Sequence, residues 1–468
     1  MRLLDYQVSR RVDPGALFAA LYTDESHAVW LDSGAHAEGG MSVMGGAARR
    51  LTASVADNLV TVDGESRPGT VFDFLREDLA RHAVPENGPF ALGWVGWLGY
   101  ELRAQTMPPP TGEAATSRRS RYPDASFAFL DRGIRFDHAS GTATLVALGE
   151  SWDGEVLAWR DDVSRKIEEL ATSTTSERRS AAPATGHAPV EWADTDDEYL
   201  DLIRQCQAAI VAGDAYQLCL TTEARVGVSP DPLATYLELR QSSPTHHGAF
   251  LRLGDVSVLS ASPEQFIAVS PSGDVQTSPI KGTRRRGQTA ADDAQLRDEL
   301  LASDKERAEN LMIVDLMRND IGRIATVGSV RVTSLFTVES YAQVHQLVST
   351  VRGSLADGVS GIDAVVSCFP AGSMTGAPKR SATEILDRLE QRARGIYSGA
   401  LGYFGLDGRI DLSMVIRSIV IDADGATVGA GGGITALSVP QEEVDEVHLK
   451  AAALLRVLGV HEARIGQP

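Results

Sequence analysis

The chain has 468 residues, 43% hydrophobic and 23% charged, with a formal net charge of -19. That is globular composition, long enough for two or three domains or one large duplicated one, with a core that needs no disulfide staples. So acidic a surface argues against nucleic acid and anionic membranes as partners, and no apolar run approaches the roughly 20 residues a membrane-spanning helix needs.

No basic segment followed by an apolar run opens the sequence, so no signal peptide is expected and the expected location is cytoplasmic. Cys206, Cys219 and Cys368 are too few and too scattered for a disulfide framework or a zinc site. They read as small buried hydrophobes.

Residues 1–170 read as an N-terminal α/β region. Within it Phe90–Tyr100 is strand-like, with glycines where other backbone must come close. Pro108–Arg121 is rich in Pro, Thr, Ser and Arg and reads as a surface loop. Residues 171–190, mostly Ser, Thr, Ala and Pro without periodicity, read as a flexible linker to a second region at 191–460. The two regions are expected to form one intertwined fold.

In the second region Glu198–Ala212 has helical spacing and Gly213 ends it. Val256–Ile267 alternates as a strand, Ser270–Asp274 turns, and Val275–Lys281 returns as a second strand. Two long helices are expected over 292–319 and 378–393. Ser373 or Thr375 would cap the second, Pro378 suits its first turn, Gly395 follows it, and Ala382, Ile385, Leu386 and Leu389 make its apolar stripe. Strands are expected at Ala400–Phe404 and Ser413–Ile421, then a glycine-rich turn over Gly429–Ile434 and a last helix to about Leu458. Without a regular βαβ rhythm, α+β is the expected class.

Four places could carry chemistry. Glu443, Glu446 and Lys450 share one helix face with Val447 and Leu454 close by, which reads either as a solvated charged face or as a hard-cation site. Glu309 stands on the apolar side of its helix, with Met312, Ile313 and Leu316. It reads as a metal ligand or as a carboxylate paired with Arg318 or Arg323. Lys281, beside Arg284-Arg285-Arg286, is a solvent-facing lysine at a strand end or a nucleophile tuned by its cationic surroundings. Gly429–Gly433 and Ala371–Lys379 are candidate anion cradles. Neither has the form or context of a nucleotide fingerprint.

Residues 279–284 (Pro-Ile-Lys-Gly-Thr-Arg), 309–320 (Glu-Asn-Leu-Met-Ile-Val-Asp-Leu-Met-Arg-Asn-Asp), 370–379, 395–403 and 430–450 together resemble the chorismate-utilising enzymes. The likeness is strongest from about 195 to 458, with a weaker match through Leu31-Asp32-Ser33-Gly34 and the Gly93–Tyr100 strand. It implies a large duplicated α+β fold with orthogonally packed sheets in four α/β/β/α layers. Within the family, Pro-Ile-Lys-Gly-Thr is similar to aminodeoxychorismate synthases, whereas anthranilate synthases resemble Pro-Ile-Ala-Gly-Thr.

The resemblance implies that Lys281 attacks chorismate at C2, that ammonia enters at C4, and that Glu264 is the general acid, with His345 lining the ring site. Glu309 and Glu446 would hold Mg²⁺, with Glu443 close behind. Thr283, Thr375, Tyr397, Arg417, Gly431, Gly432, Gly433 and Lys450 would bind substrate. Gln217 stands where water-using relatives carry a lysine, and it cannot act as a base. No cysteine lies in a Gly-x-Cys-x-Gly setting, so ammonia is expected from a separate glutamine amidotransferase subunit or from solution. The segment Ser243-Pro244-Thr245-His246-His247 departs from the family's Asn-Pro-x-Pro-Phe, which with Leu31-Asp32-Ser33 frames a tryptophan pocket in relatives. Tryptophan binding is therefore not carried over.

Overall fold

Burial along the strand His27–Asp32 alternates between two cores. Ala28 and Trp30 point into one and Val29 into the other, and Phe250 against Ala249 and Leu251 repeats the pattern on the neighbouring strand. A sheet with both faces apolar must be covered on both sides. In this computed structural model, which describes residues 2–107, 118–172, 189–341 and 344–460, one face packs on helices and the other on a second sheet.

The first sheet has 12 strands, from Arg2–Val8 at one edge to Val190–Trp192 at the other. Its centre runs His27–Asp32, His247–Leu253, Val256–Ser262, Ser418–Asp422, Gly425–Ile434 and Gln217–Val226. The second, also 12-stranded, runs from Ile280–Arg285 to Glu65–Pro68 through Gln265–Val269, Ile410–Met414, Ala400–Gly405 and Gly93–Leu98. Their ladders are antiparallel. The helices Asp196–Val211, Lys379–Glu390 and Pro440–Val457 cover the outer face of the first sheet, while Val71–Arg81, Asp304–Gly322 and Gly361–Cys368 join the core of the second. Each fully buried Phe or Leu between these layers contributes about 1.5–3 kcal/mol relative to exposure. The expected α+β class with layered sheets is what is found.

Several expected elements differ. Val256–Ile267 is two strands, Val256–Ser262 and Gln265–Val269, in different sheets, because Pro263-Glu264 carries the chain across. Ser413–Ile421 divides likewise at Val415–Arg417, where Arg417 takes a φ of 51°. Asp274–Thr277 and Ile280–Arg285 are separate strands around Pro279.

The helix expected at 292–319 breaks at Ser303, whose side chain caps the second half at Glu306 N. Neither Ser373 nor Thr375 caps Lys379–Glu390. Pro378 is its N-cap, without a side-chain cap bond, and Gln391 in the left-handed region ends it. The turn expected at Gly429–Ile434 is strand, the last part of Gly425–Ile434. Most of the expected 108–121 loop and 171–190 linker lies outside the described residues.

Asp32 is 3% exposed and is held by Arg240 at 2.5 Å, Ser42 at 2.9 Å and Tyr236 at 3.3 Å. Among the described residues no helix is long and apolar enough to cross a membrane.

Candidate active site

The glycine strand makes the floor of the site. Gly425–Ile434 pairs with Gln217–Val226 along its length, but its other partner, Ser418–Asp422, stops opposite Val428. From Gly429 onward the strand therefore has a ladder partner on one side only. Arg417 comes just before that absent partner and Tyr397 packs on Gly429, where a β-carbon would stand 2.2 Å from the ring. A β-carbon on Gly432 would come within 2.9 Å of Glu443 Oε2. One on Gly433 would lie 2.2 Å from Gln217 Nε2 and 3.7 Å from Lys281 Nζ. The glycines keep open the space where these groups converge.

Lys281 reaches that space from Ile280–Arg285. The strand bulges between Ile280 and Thr283, with Gly282 at φ 88°. No other residue suits that backbone, since a β-carbon there would also lie 2.8 Å from Leu300 and 2.9 Å from Glu306. Glu264 sits in the crossover between the sheets and is 7% exposed. Burial pushes its carboxyl up to about 7, against the opposing pull of Lys281, a hydrogen bond from Ser373 and one from the Ile280 backbone N–H.

Three carboxylates belong to the cleft, and two of them, Glu309 and Glu446, feel the charge of Lys281. Burial raises Glu309, with Glu306 and Glu443 adding repulsion and Lys281 and Lys305 opposing. Burial raises Glu443 too, and Glu446 adds to it. At Glu446 burial acts upward, but Lys450, Lys305 and Lys281 outweigh it and hold the carboxylate low. Lys450 is anchored by Glu446 at 2.7 Å and the Gly431 carbonyl at 2.8 Å. Arg417 is open to the cleft yet surrounded by protein. Burial lowers its pKa, and Tyr397 and Glu446 oppose that. Burial also pushes the Tyr397 phenol well above its ordinary range.

Other expected members lie differently. His345 is 1% exposed, and both its ring nitrogens are engaged, one by Ser340 at 2.8 Å and one by Asp293 at 2.9 Å. Arg286 grips the same Asp293, so the imidazole belongs to a ring of contacts with the Ala290–Ala302 helix. It is Gln346 that stands opposite Thr283 in the ladder. Thr283 itself is exposed. Thr375 is fully buried and donates its hydroxyl to the Ala371 carbonyl at 3.1 Å. Sequence reasoning missed Ser373 and Lys305. Ser373 was read as a helix cap, although a hydroxyl in a glycine loop beside a buried acid was a usable signal. Lys305 lies four residues before Glu309, one helical turn away.

Among the described residues no three His, Cys, Asp or Glu side chains are gathered tightly enough to hold a metal ion as they stand. The donor set nonetheless suits Mg²⁺. Glu309, Glu443 and Glu446 are hard oxygen donors that feel one another, and Gly432 leaves the space before Glu443 free of any side chain. The arrangement sets an amine, a protonatable acid and a carboxylate cluster around a cleft with fixed cations. That is equipment for substituting a leaving group on an anionic small molecule.

Comparison with known proteins agrees in kind. The aminodeoxychorismate synthases of Streptomyces pristinaespiralis and Streptomyces griseus are 43% and 44% identical, over 95% and 98% of this chain, and the chain spans 64% of the length of each. Anthranilate synthase component I from Streptococcus pneumoniae TIGR4 superposes with a TM-score of 0.75 at 27% identity, covering 95% of this chain and 99% of that one. A family model described as chorismate binding enzyme matches residues 26–456. With that match covering most of both sheets and every residue of the cleft named above, the chain belongs to the chorismate binding enzyme family.

Proposed function

We propose that the chain converts chorismate and ammonia to 4-amino-4-deoxychorismate and water, the step that leads to 4-aminobenzoate and folate. The observation that carries this reading is Lys281, set beside Glu264 and facing the carboxylates across the glycine floor. Its unprotonated amine attacks C2. The C1–C2 double bond shifts to C1–C6 and the C5–C6 double bond to C4–C5, and the C4 hydroxyl leaves as water with a proton from Glu264. Ammonia then forms the bond to C4, the double bonds return to C5–C6 and C1–C2, and the Lys281 amine departs from C2. The proton that ammonia loses restores Glu264. A buried carboxyl near 7 is suited to give and retake a proton at neutral pH.

Arg417, Tyr397 and Lys450 hold carboxylate oxygens of the substrate along the open strand edge. Glu309 and Glu446, with Glu443 behind them, would hold Mg²⁺, which when bound supplies positive charge to the ring carboxylate. Gln217 has no basic group with which to activate water.

Ammonia comes from a glutaminase outside these 468 residues, such as a partner subunit. All three cysteines are buried, and burial pushes the Cys206 and Cys368 thiols up to about 12, unlike an activated nucleophile. The test is mass spectrometry of the product from chorismate, Mg²⁺ and ammonium. 4-Amino-4-deoxychorismate, which keeps the enolpyruvyl group, is expected. Anthranilate with released pyruvate would overturn the reading.

A further inference from the structure

The carboxylate cluster is crossed by a lysine that the proposed chemistry does not use. Lys305 stands at the second position of the helix Asp304–Gly322, directly after the break at Ser303, and its ammonium lies 3.9 Å from Glu443 Oε1 on the other wall of the cleft. It is 58% exposed, whereas Glu443 is 5% exposed. The three lysines around the cluster are held very differently. Lys281 rises from a strand, and Lys450 is fixed by two contacts of 2.7 and 2.8 Å. Lys305 has one long contact and a flexible stem at the start of a helix.

We propose that Lys305 is a built-in counter-ion that holds the charge position of the divalent cation, and that cation binding displaces it from Glu443. Two like charges cannot share one carboxylate cluster without mutual repulsion, so whichever binds more weakly must leave. A contact of 3.9 Å from an exposed, flexible ammonium is weak, and a divalent ion has twice the charge to bring. Lys305 also acts on all three carboxylates, pulling down Glu309, Glu443 and Glu446. In the cation-free protein it therefore relieves the repulsion that would otherwise push the cleft walls apart. On this account, filling the cluster frees the first turn of the helix from the opposite wall, which couples cation binding to opening of the mouth.

The inference rests on the reading that Glu309, Glu443 and Glu446 take Mg²⁺. The experiment is calorimetric titration of Mg²⁺ into the full chain without substrate, with Mn²⁺ followed by electron paramagnetic resonance as a second probe. Lys305→Gln and Lys305→Met are expected to bind about 3- to 10-fold more tightly than wild type, as removal of one nearby positive charge predicts. Lys305→Arg, which keeps the charge, is expected to match wild type.

Glu446→Gln separates the two ideas. If it weakens binding while Lys305→Gln and Lys305→Met bind no tighter than wild type, the counter-ion inference fails and the metal reading stands. If Glu446→Gln binds Mg²⁺ as wild type does, or if no variant and not the wild type binds it, the metal reading fails and takes the inference with it.

Discussion

Arg394 grips Glu390 with both arms of its guanidinium, Nε at 2.8 Å and Nη2 at 2.7 Å, in a fully buried fork. The same guanidinium donates to the carbonyls of Met374 at 2.6 Å and Cys219 at 2.8 Å. One side chain thus ties the loop bearing Ser373 to the strand that faces the glycine floor.

Arg394→Lys should cost about 3–5 kcal/mol of stability, because an ammonium cannot fill the fork and Glu390 is left buried and short of partners. Denaturant unfolding followed by tryptophan fluorescence measures it. Burial pushes Glu390 upward, but Arg394 outweighs it and the carboxyl is held below its ordinary 4.5. Its contribution is therefore present above that pH and fades as pH falls through the depressed value. A variant as stable as wild type at pH 7 would show the fork to be dispensable.

Lys281→Ala should abolish turnover with ammonium while leaving the fold intact, since its side chain meets the cleft rather than the core. Partial rescue by small primary amines is the expected signature of a missing covalent nucleophile. Near wild-type turnover, measured by product formation, would remove Lys281 from the chemistry.

Glu264 sets a pH limit. As a proton donor it acts in its neutral form, so the chemical step should decline as pH rises past about 7. Glu264→Gln should lose about 10²- to 10⁴-fold in kcat. Ser373→Ala removes a hydrogen bond that favours the ionised carboxylate, so the alkaline limb should move upward by about 1 unit. A limb that stays put in Ser373→Ala, in single-turnover rates at fixed free ammonia, would separate Ser373 from the proton donor.

Chelation should stop turnover, and Glu309→Gln or Glu446→Gln should raise the Mg²⁺ needed for half-maximal rate. Glu443→Gln should do so by on the order of 10-fold, the scale of a residue that orients ligands. Unchanged metal titrations in all three would show that the cation binds elsewhere.

Placement drew attention to part of this site, but spacing alone left each carboxylate open between a solvated or paired charge and a cation ligand, and the family resemblance supplied the roles. A glutamate among Ile313 and Leu316, and two more beside Val447, are charges on packed helix faces, and the structure puts all three in one cleft. What stayed hidden was which sheet a strand joins. Val256–Ser262 and Gln265–Val269 are apolar on both sides of Pro263-Glu264, and hydrophobic pattern alone does not register a crossover. The glycines of Gly425–Ile434 look like a turn because local preference favours one. Only the tertiary neighbours Tyr397, Gln217 and Glu443 explain glycine within a strand. His345 was placed at the ring site by the family resemblance alone. Its direction is set by pleat and register, and these aim it at Asp293.

The strand order has a consequence for synthesis on the ribosome. Gly93–Leu98 pairs early with Ala125–Leu130, but its other edge finds a partner only in Ala400–Gly405, roughly 300 residues later, and His27–Asp32, paired with Met41–Gly46, waits on its other edge for His247–Leu253. Until those segments emerge, one edge of each of these Trp- and Leu-containing strands stays open. Such a chain should depend on chaperone shelter during translation and acquire its protease resistance late, only after Ala400–Gly405 has emerged.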